Sequence, residues 1–214
     1  MGEEYKLQHE TLHLCVNYID RFLSHVPVAR SKLQLVGVGC LLVASKYEDV
    51  SPPTVEDLVY ISDNTYSREE ILKMEGAVLS RLQFDLSVVT AVAFLPRYTR
   101  GALAAGACVA KLGALCAYLV ELTLQDYSFV QHRASMVAAS AVRLALHTLG
   151  LPAWSAQLER ETGYTAAELA ICVAEMRALF AAAAASSLQA VRDKYSHPSF
   201  FCVATLTAPS SGPP

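Results

Sequence analysis

The sequence predicts an all-α protein built as two tandem helical domains, and three observations lead there. Apolar residues recur at helical spacing in nearly every segment, and none shows the alternation of a half-buried strand. Helix-start signatures, a serine or threonine followed three residues later by glutamate or glutamine, open several of the periodic runs. The length of 214 residues, 53% of them hydrophobic and 17% charged, leaves ample apolar surface for one large core or two smaller ones.

The elements follow in order. Leu12, Cys15, Val16, Ile19, Phe22 and Leu23 share one helical face, which predicts an amphipathic helix over 11–25, ended by Pro27. Ser31 and Gln34 form the first capping signature, opening a helix over 31–48. Its apolar residues cover almost the whole circumference, so it is expected to sit at the centre of its domain. Pro52-Pro53 breaks the chain, and Thr54 starts a short helix to about Ile61. Ser67 and Glu70 open a helix to about Leu82, followed by a linker over 83–89. Thr90 can cap a short helix ending near Arg100, and further helices are expected over 102–124, 130–149, 165–183 and 186–195. The third capping signature, Thr165 with Glu168, begins the third of these. The last six residues, from Pro209, are rich in proline, serine and glycine and are expected to be disordered.

Composition excludes several functions. A net charge of −3 gives no positive field to attract nucleic acid or anionic lipid. The start, Met1-Gly2-Glu3-Glu4, is acidic and polar where a signal peptide would be basic and then apolar. The apolar run 102–124 reads as a buried helix and not a membrane span, because Lys111 and Glu121 would be costly in lipid. The six cysteines lie in apolar helical patterns without a CxxC pair and read as reduced thiols. A phosphate-binding glycine loop, a nucleophile elbow and a zinc motif are all missing, so neither cofactor nor metal nor catalytic residue is expected.

One constellation resists a purely structural reading. Glu75 interrupts the apolar face of Ile71, Met74, Val78, Leu79 and Leu82, where an unpaired carboxylate would be poorly solvated. Lys46, near the C-terminal end of the central helix, is its candidate partner, with Tyr47, Glu48 and Asp49 beside it. Spacing alone leaves open a structural salt bridge or a cluster that binds a partner.

These residues also carry a resemblance. The segments LHLCVNYIDRFLS, SKLQLVGVGCLLVASKYEDVSPPTVEDLVYISDNTY and ILKMEGAVLSRLQFDL resemble the cyclin box of mitotic A- and B-type cyclins. In the second half, ELTLQDYSF and KYSHPSFFCVA look most like the third B-type subclass. The resemblance implies a cyclin box over 1–87, a second cyclin fold over 88–208 and a tail over 209–214. It also implies a regulatory subunit in the nucleus, and in the cytoplasm as well, that forms a heterodimer with a cyclin-dependent kinase and activates it in G2/M, mitotic or meiotic control.

By motif, the family's invariant lysine and glutamate fall on Lys46 and Glu75. Tyr47, Glu48 and Asp49 fall on kinase-contacting positions, with Tyr47 replacing the commoner Phe. Leu79, Phe84 and Leu86 match further apolar contacts, and Gly76 stands where relatives carry a larger residue. Leu33 and Gln34 match one side of a groove that docks substrates or inhibitors. Family members carry a further helix ahead of the GEEYKLQ segment, so the first box is expected to be incomplete and the docking weakened. Two other readings remain: a truncated fragment that does not activate its kinase, and a helical nucleic-acid-binding factor of the transcription-initiation type, which the acidic balance disfavours.

Overall fold

A computed structural model describes residues 7–102, 107–152 and 154–211, leaving aside the side chains of 101, 102, 107 and 108. Every regular element among them is helical. The chain divides into two compact units, 1–88 and 89–214, each with its own apolar core.

Among its described residues the first unit holds four α-helices: α1 (His9–Leu23), α2 (Leu33–Glu48), α3 (Val55–Ile61) and α4 (Arg68–Arg81). Helix α2 is its centre, with Leu35, Val36, Val38, Cys40, Leu41, Leu42 and Val43 all buried. It packs against α1, α3 and α4, as a helix apolar on every side must. Between α2 and α4 the approach is close because Gly39 has no side chain: a Cβ there would lie 2.6 Å from Met74 Cγ. Burial pushes the Cys40 thiol up to about 12 and the Cys15 thiol higher still, so both stay protonated.

The second unit contains α5 (Ala91–Ala102), α6 (Ala107–Thr123), α7 (Ala134–Thr148), α8 (Ala156–Thr162), α9 (Ala166–Ala182) and α10 (Ala190–Tyr195). Helix α7 is buried without interruption from Val137 to Leu146 and packs against α5, α6 and α9. Glu121 of α6 is buried, and Lys194 Nζ reaches its two carboxylate oxygens at 3.0 and 2.7 Å. The Tyr195 hydroxyl donates to the same carboxylate at 2.8 Å. A charge inside an apolar helix is thus matched by a cation and a donor, as burial demands. Among the described residues no helix is long and apolar enough to cross a membrane.

Several elements differ from their sequence expectations. The Ser31 cap does not form. Ser31 lies inside a 3-10 turn, Arg30–Lys32, and the extended residue ahead of that turn is Ala29, which has no side-chain acceptor. The boxes at Thr54 with Asp57, Ser67 with Glu70 and Thr165 with Glu168 are made in full. The helix expected from 130 begins at Ala134, because a 3-10 turn over Tyr127–Gln131 and extended residues His132 and Arg133 precede it. Helix α10 starts only at Ala190, since Ser186 is extended and its hydroxyl accepts from Leu188 N–H.

Helix α8 has no counterpart in the expectations. Of its seven residues Leu158 and Thr162 are buried, and one buried apolar residue makes no period that could reveal it. Its ends are nevertheless legible, Ser155 as an N-cap and Gly163 at φ 77° as the stop. In the tail expected to be disordered, Arg177 donates to the carbonyls of Pro209 and Ser210, each at 3.3 Å. Residues 212–214, Gly106 and the Met1–Lys6 start of the expected incomplete box lie outside the described residues, as does the Cys108 side chain.

Candidate functional site

The end of α2 and the middle of α4 are brought together by packing that begins seven residues earlier. Gly39 and Lys46 lie seven residues apart on one face of α2, and Met74, which presses on Gly39, immediately precedes Glu75. Lys46 Nζ meets Glu75 Oε1 at 2.7 Å. The pair is unevenly placed: the Glu75 side chain is 14% exposed and that of Lys46 is 47% exposed. Water therefore reaches the cation and screens the attraction, while the carboxylate is held against apolar neighbours.

Tyr47 and Glu48 follow on the open surface. Asp49 does not join them there. Its carboxylate accepts from the Gln8 backbone N–H at 2.8 Å and from the Thr11 hydroxyl at 2.6 Å. Gln8, the N-cap of α1, makes no side-chain cap bond of its own, so Asp49 supplies a missing acceptor across the unit. The residue expected to contact a partner also holds α1 to the end of α2.

Past α4 the chain reverses through two consecutive left-handed residues, Gln83 at φ 55° and Phe84 at φ 58°. The Phe84 N–H returns to the Leu79 carbonyl at 3.0 Å, which closes the end of the helix. The turn leaves the Phe84 ring 71% exposed, an unusual position for a large apolar side chain. Leu79 and Leu86 are half-buried against the core, and Gly76 is exposed with open space where a Cβ would stand.

Two residues of α1 that sequence reasoning passed over hold this reversal. The Tyr18 hydroxyl donates to the Leu86 carbonyl at 2.9 Å, and Arg21 donates to the Asp85 carbonyl at 2.8 Å and to its carboxylate at 3.2 Å. Burial first, then the neighbouring Tyr47 hydroxyl, push the Tyr18 phenol up to about 12, with Glu48 adding to the rise and Arg21 opposing it. Through its bond to the Leu86 carbonyl, Tyr18 ties α1 to the segment after α4. The signal in the sequence was the three-residue spacing of Tyr18 and Arg21, which puts both on one helix face.

Leu33 and Gln34 are exposed at the opposite end of α2, about 20 Å from Lys46 along the helix axis. The structure thus brings Lys46, Tyr47, Glu48, Glu75, Leu79, Phe84 and Leu86 to one end of the first unit and leaves Leu33 and Gln34 apart. The groups gathered there are an ion pair half open to water, exposed rings and a carboxylate, which suit recognition of another macromolecule.

Comparison with known proteins follows the same division of the chain. The family described as Cyclin, N-terminal domain matches residues 1–87, and Cyclin, C-terminal domain matches 89–209. The chain is similar to Cyclin-A2-1 of Oryza sativa subsp. japonica, 47% identical over 216 residues, covering 99% of this chain and 44% of that protein. It is also similar to Cyclin-A3-2 of Arabidopsis thaliana, 46% identical, covering 96% of this chain and 56% of that one. The G2/mitotic-specific cyclin-A of Hydra viridissima is 45% identical, with 96% of this chain and 49% of that protein covered. The chain spans about half the length of these curated relatives. All three carry A-type names and give no support to the expected leaning towards a B-type subclass. A viral cyclin from herpesvirus saimiri has the same fold, with a TM-score of 0.74 at 21% identity over 83% of this chain and 78% of that one.

Proposed function

This chain belongs to the cyclin family, and from that membership we propose that it is a regulatory subunit that binds and activates a cyclin-dependent protein kinase in G2/M control. The observation that carries the proposal is the surface at the end of α2, where the half-open Lys46–Glu75 pair stands with exposed Tyr47, Glu48 and Phe84. Such a surface has the groups that dominate protein interfaces, aromatic anchors flanked by charge. Activation is a population shift: a subunit that binds the active arrangement of the kinase more tightly than the inactive one raises the active fraction. ATP, magnesium and the phosphoryl-transfer groups then belong to the kinase, and this chain contributes binding energy alone.

The relatives' A-type names favour an A-type role over a B-type one. The Leu33–Gln34 end of α2 is read as a second and weaker site, for substrates or inhibitors that carry a docking motif. Work in the nucleus, with some of the protein in the cytoplasm, belongs to the same reading, and localisation of a fluorescently tagged chain tests it.

The main test mixes the purified 214-residue chain with a panel of cyclin-dependent kinase catalytic subunits and measures co-elution and histone phosphorylation. Co-elution with stimulated phosphorylation is the expected result. Binding without stimulation would assign the chain as a non-activating ligand, and no binding to any member of the panel would overturn the proposal.

A further inference from the structure

The geometry points to Tyr18 and Arg21 as positioning residues that fix the reversal after α4 and so hold Phe84 ready for the kinase; this inference rests on the kinase-binding reading above. Phe84 is 71% exposed and sits on a segment that no regular element contains. An exposed ring on a mobile segment would lose much of its binding energy to ordering, so its worth as an anchor depends on how rigidly its backbone is held. Two attachments next to Phe84 come from one face of α1. The Tyr18 hydroxyl holds the carbonyl of Leu86, and the Arg21 guanidinium holds both the carbonyl and the carboxylate of Asp85. Tyr18 is itself fully buried, so its hydroxyl is delivered from a packed core.

These bonds are more than general support for the fold. The helix end is already closed by the bond from Phe84 N–H to the Leu79 carbonyl, and the core is filled without Asp85. What Tyr18 and Arg21 add is the direction in which the chain leaves the left-handed pair Gln83 and Phe84, and hence the direction of the ring.

The experiment is a double-mutant cycle on the full chain, using whichever member of the kinase panel binds the parent most tightly. Tyr18→Phe removes the hydroxyl and keeps the ring, and Arg21→Gln changes a partly buried side chain that lies outside the apolar core. Phe84→Ala should weaken binding about tenfold or more, as truncation of an aromatic anchor does. Tyr18→Phe and Arg21→Gln should each weaken it about 3–10-fold, the usual net effect of losing one or two hydrogen bonds. In the Phe84→Ala background neither should weaken it further, because no ring remains to position. Hydrogen exchange at 83–88 should quicken in both variants while the helical circular dichroism stays unchanged. Parental affinity for both Tyr18→Phe and Arg21→Gln, or losses that multiply with that of Phe84→Ala, would overturn the inference and leave kinase binding standing. Parental affinity for Phe84→Ala would overturn the kinase-surface reading itself.

Discussion

Lys46 shows how burial sets the worth of a charge. The sequence placed Glu75 in an apolar face, where an unpaired carboxylate would be poorly solvated, and the lysine that pairs with it is half open to water. Lys46→Ala should therefore lower stability by only about 1 kcal/mol or less, in the range of exposed pairs. Kinase affinity should fall about tenfold or more, since the change removes a charge from the proposed contact surface and frees Glu75 to rearrange. Thermal melting and titration of the same sample separate the two effects, and parental affinity would give the pair a minor role. The two glycines of α2 offer a cleaner contrast. A Cβ on Gly39 would stand 2.6 Å from Met74 Cγ and 3.2 Å from Met74 Cβ. The first atom can swing away, but the second is fixed to the α4 backbone, so the helices must part. Gly39→Ala should cost about 1–3 kcal/mol in chemical denaturation. Gly37, with nothing within 4 Å of the same position, should instead gain about 0.5–1 kcal/mol on change to alanine.

At the scale of elements, the completed capping boxes tie helix stability to pH. The Thr165 backbone N–H donates to Glu168 at 2.7 Å, and the Thr165 hydroxyl does the same. These bonds, the backbone one first, hold the Glu168 carboxyl below its ordinary value of 4.5. A depressed folded pKa means that the cap contributes fully above the unfolded value and is lost as pH falls through the folded one. Glu168→Gln keeps an acceptor and loses the charge. The parent should melt above this variant from neutrality down to about pH 5, and the gap should close as pH falls towards about 3. A gap that stays constant across that range would show that the carboxylate charge does not matter to the cap. Ser67 and Glu70 close α4 in the same way, with Lys32 as an additional partner for the carboxylate.

For the molecule as a whole, each unit satisfies its own core. In the second, Leu112, Leu115, Leu119, Val142, Leu144 and Leu169 are fully buried, and the buried Glu121 finds Lys194 and Tyr195 within the same unit. A segment with its own apolar cluster and its own charge balance meets the conditions for independent folding. Residues 89–214 expressed alone should therefore be helical and unfold in one cooperative transition by circular dichroism. Loss of helical signal, or a broad transition without a baseline, would show that this unit needs the first one to fold.

Helical class, the central place of α2 and two of the capping boxes were determined by the sequence itself, because each rests on interactions within a few residues. Periodicity marks which face is apolar, and Ser67 with Glu70 needs no distant partner. The resemblance of the Lys46 and Glu75 motifs likewise singled out a pair that the structure joins at 2.7 Å. What the sequence could not decide is what depends on residues far apart in the chain. Ser31 has the right neighbours for a cap, but it lies inside a 3-10 turn that starts from the extended Ala29. Asp49 belongs to the motif of the exposed cluster, yet its oxygens are taken by Gln8 and Thr11, about forty residues away. Tyr18 and Arg21 look like one more polar edge of an amphipathic helix until the segment after α4 is laid against them. A hydrogen-bonding group has more possible partners than the chain can supply at once, and only the packed tertiary structure selects which are made.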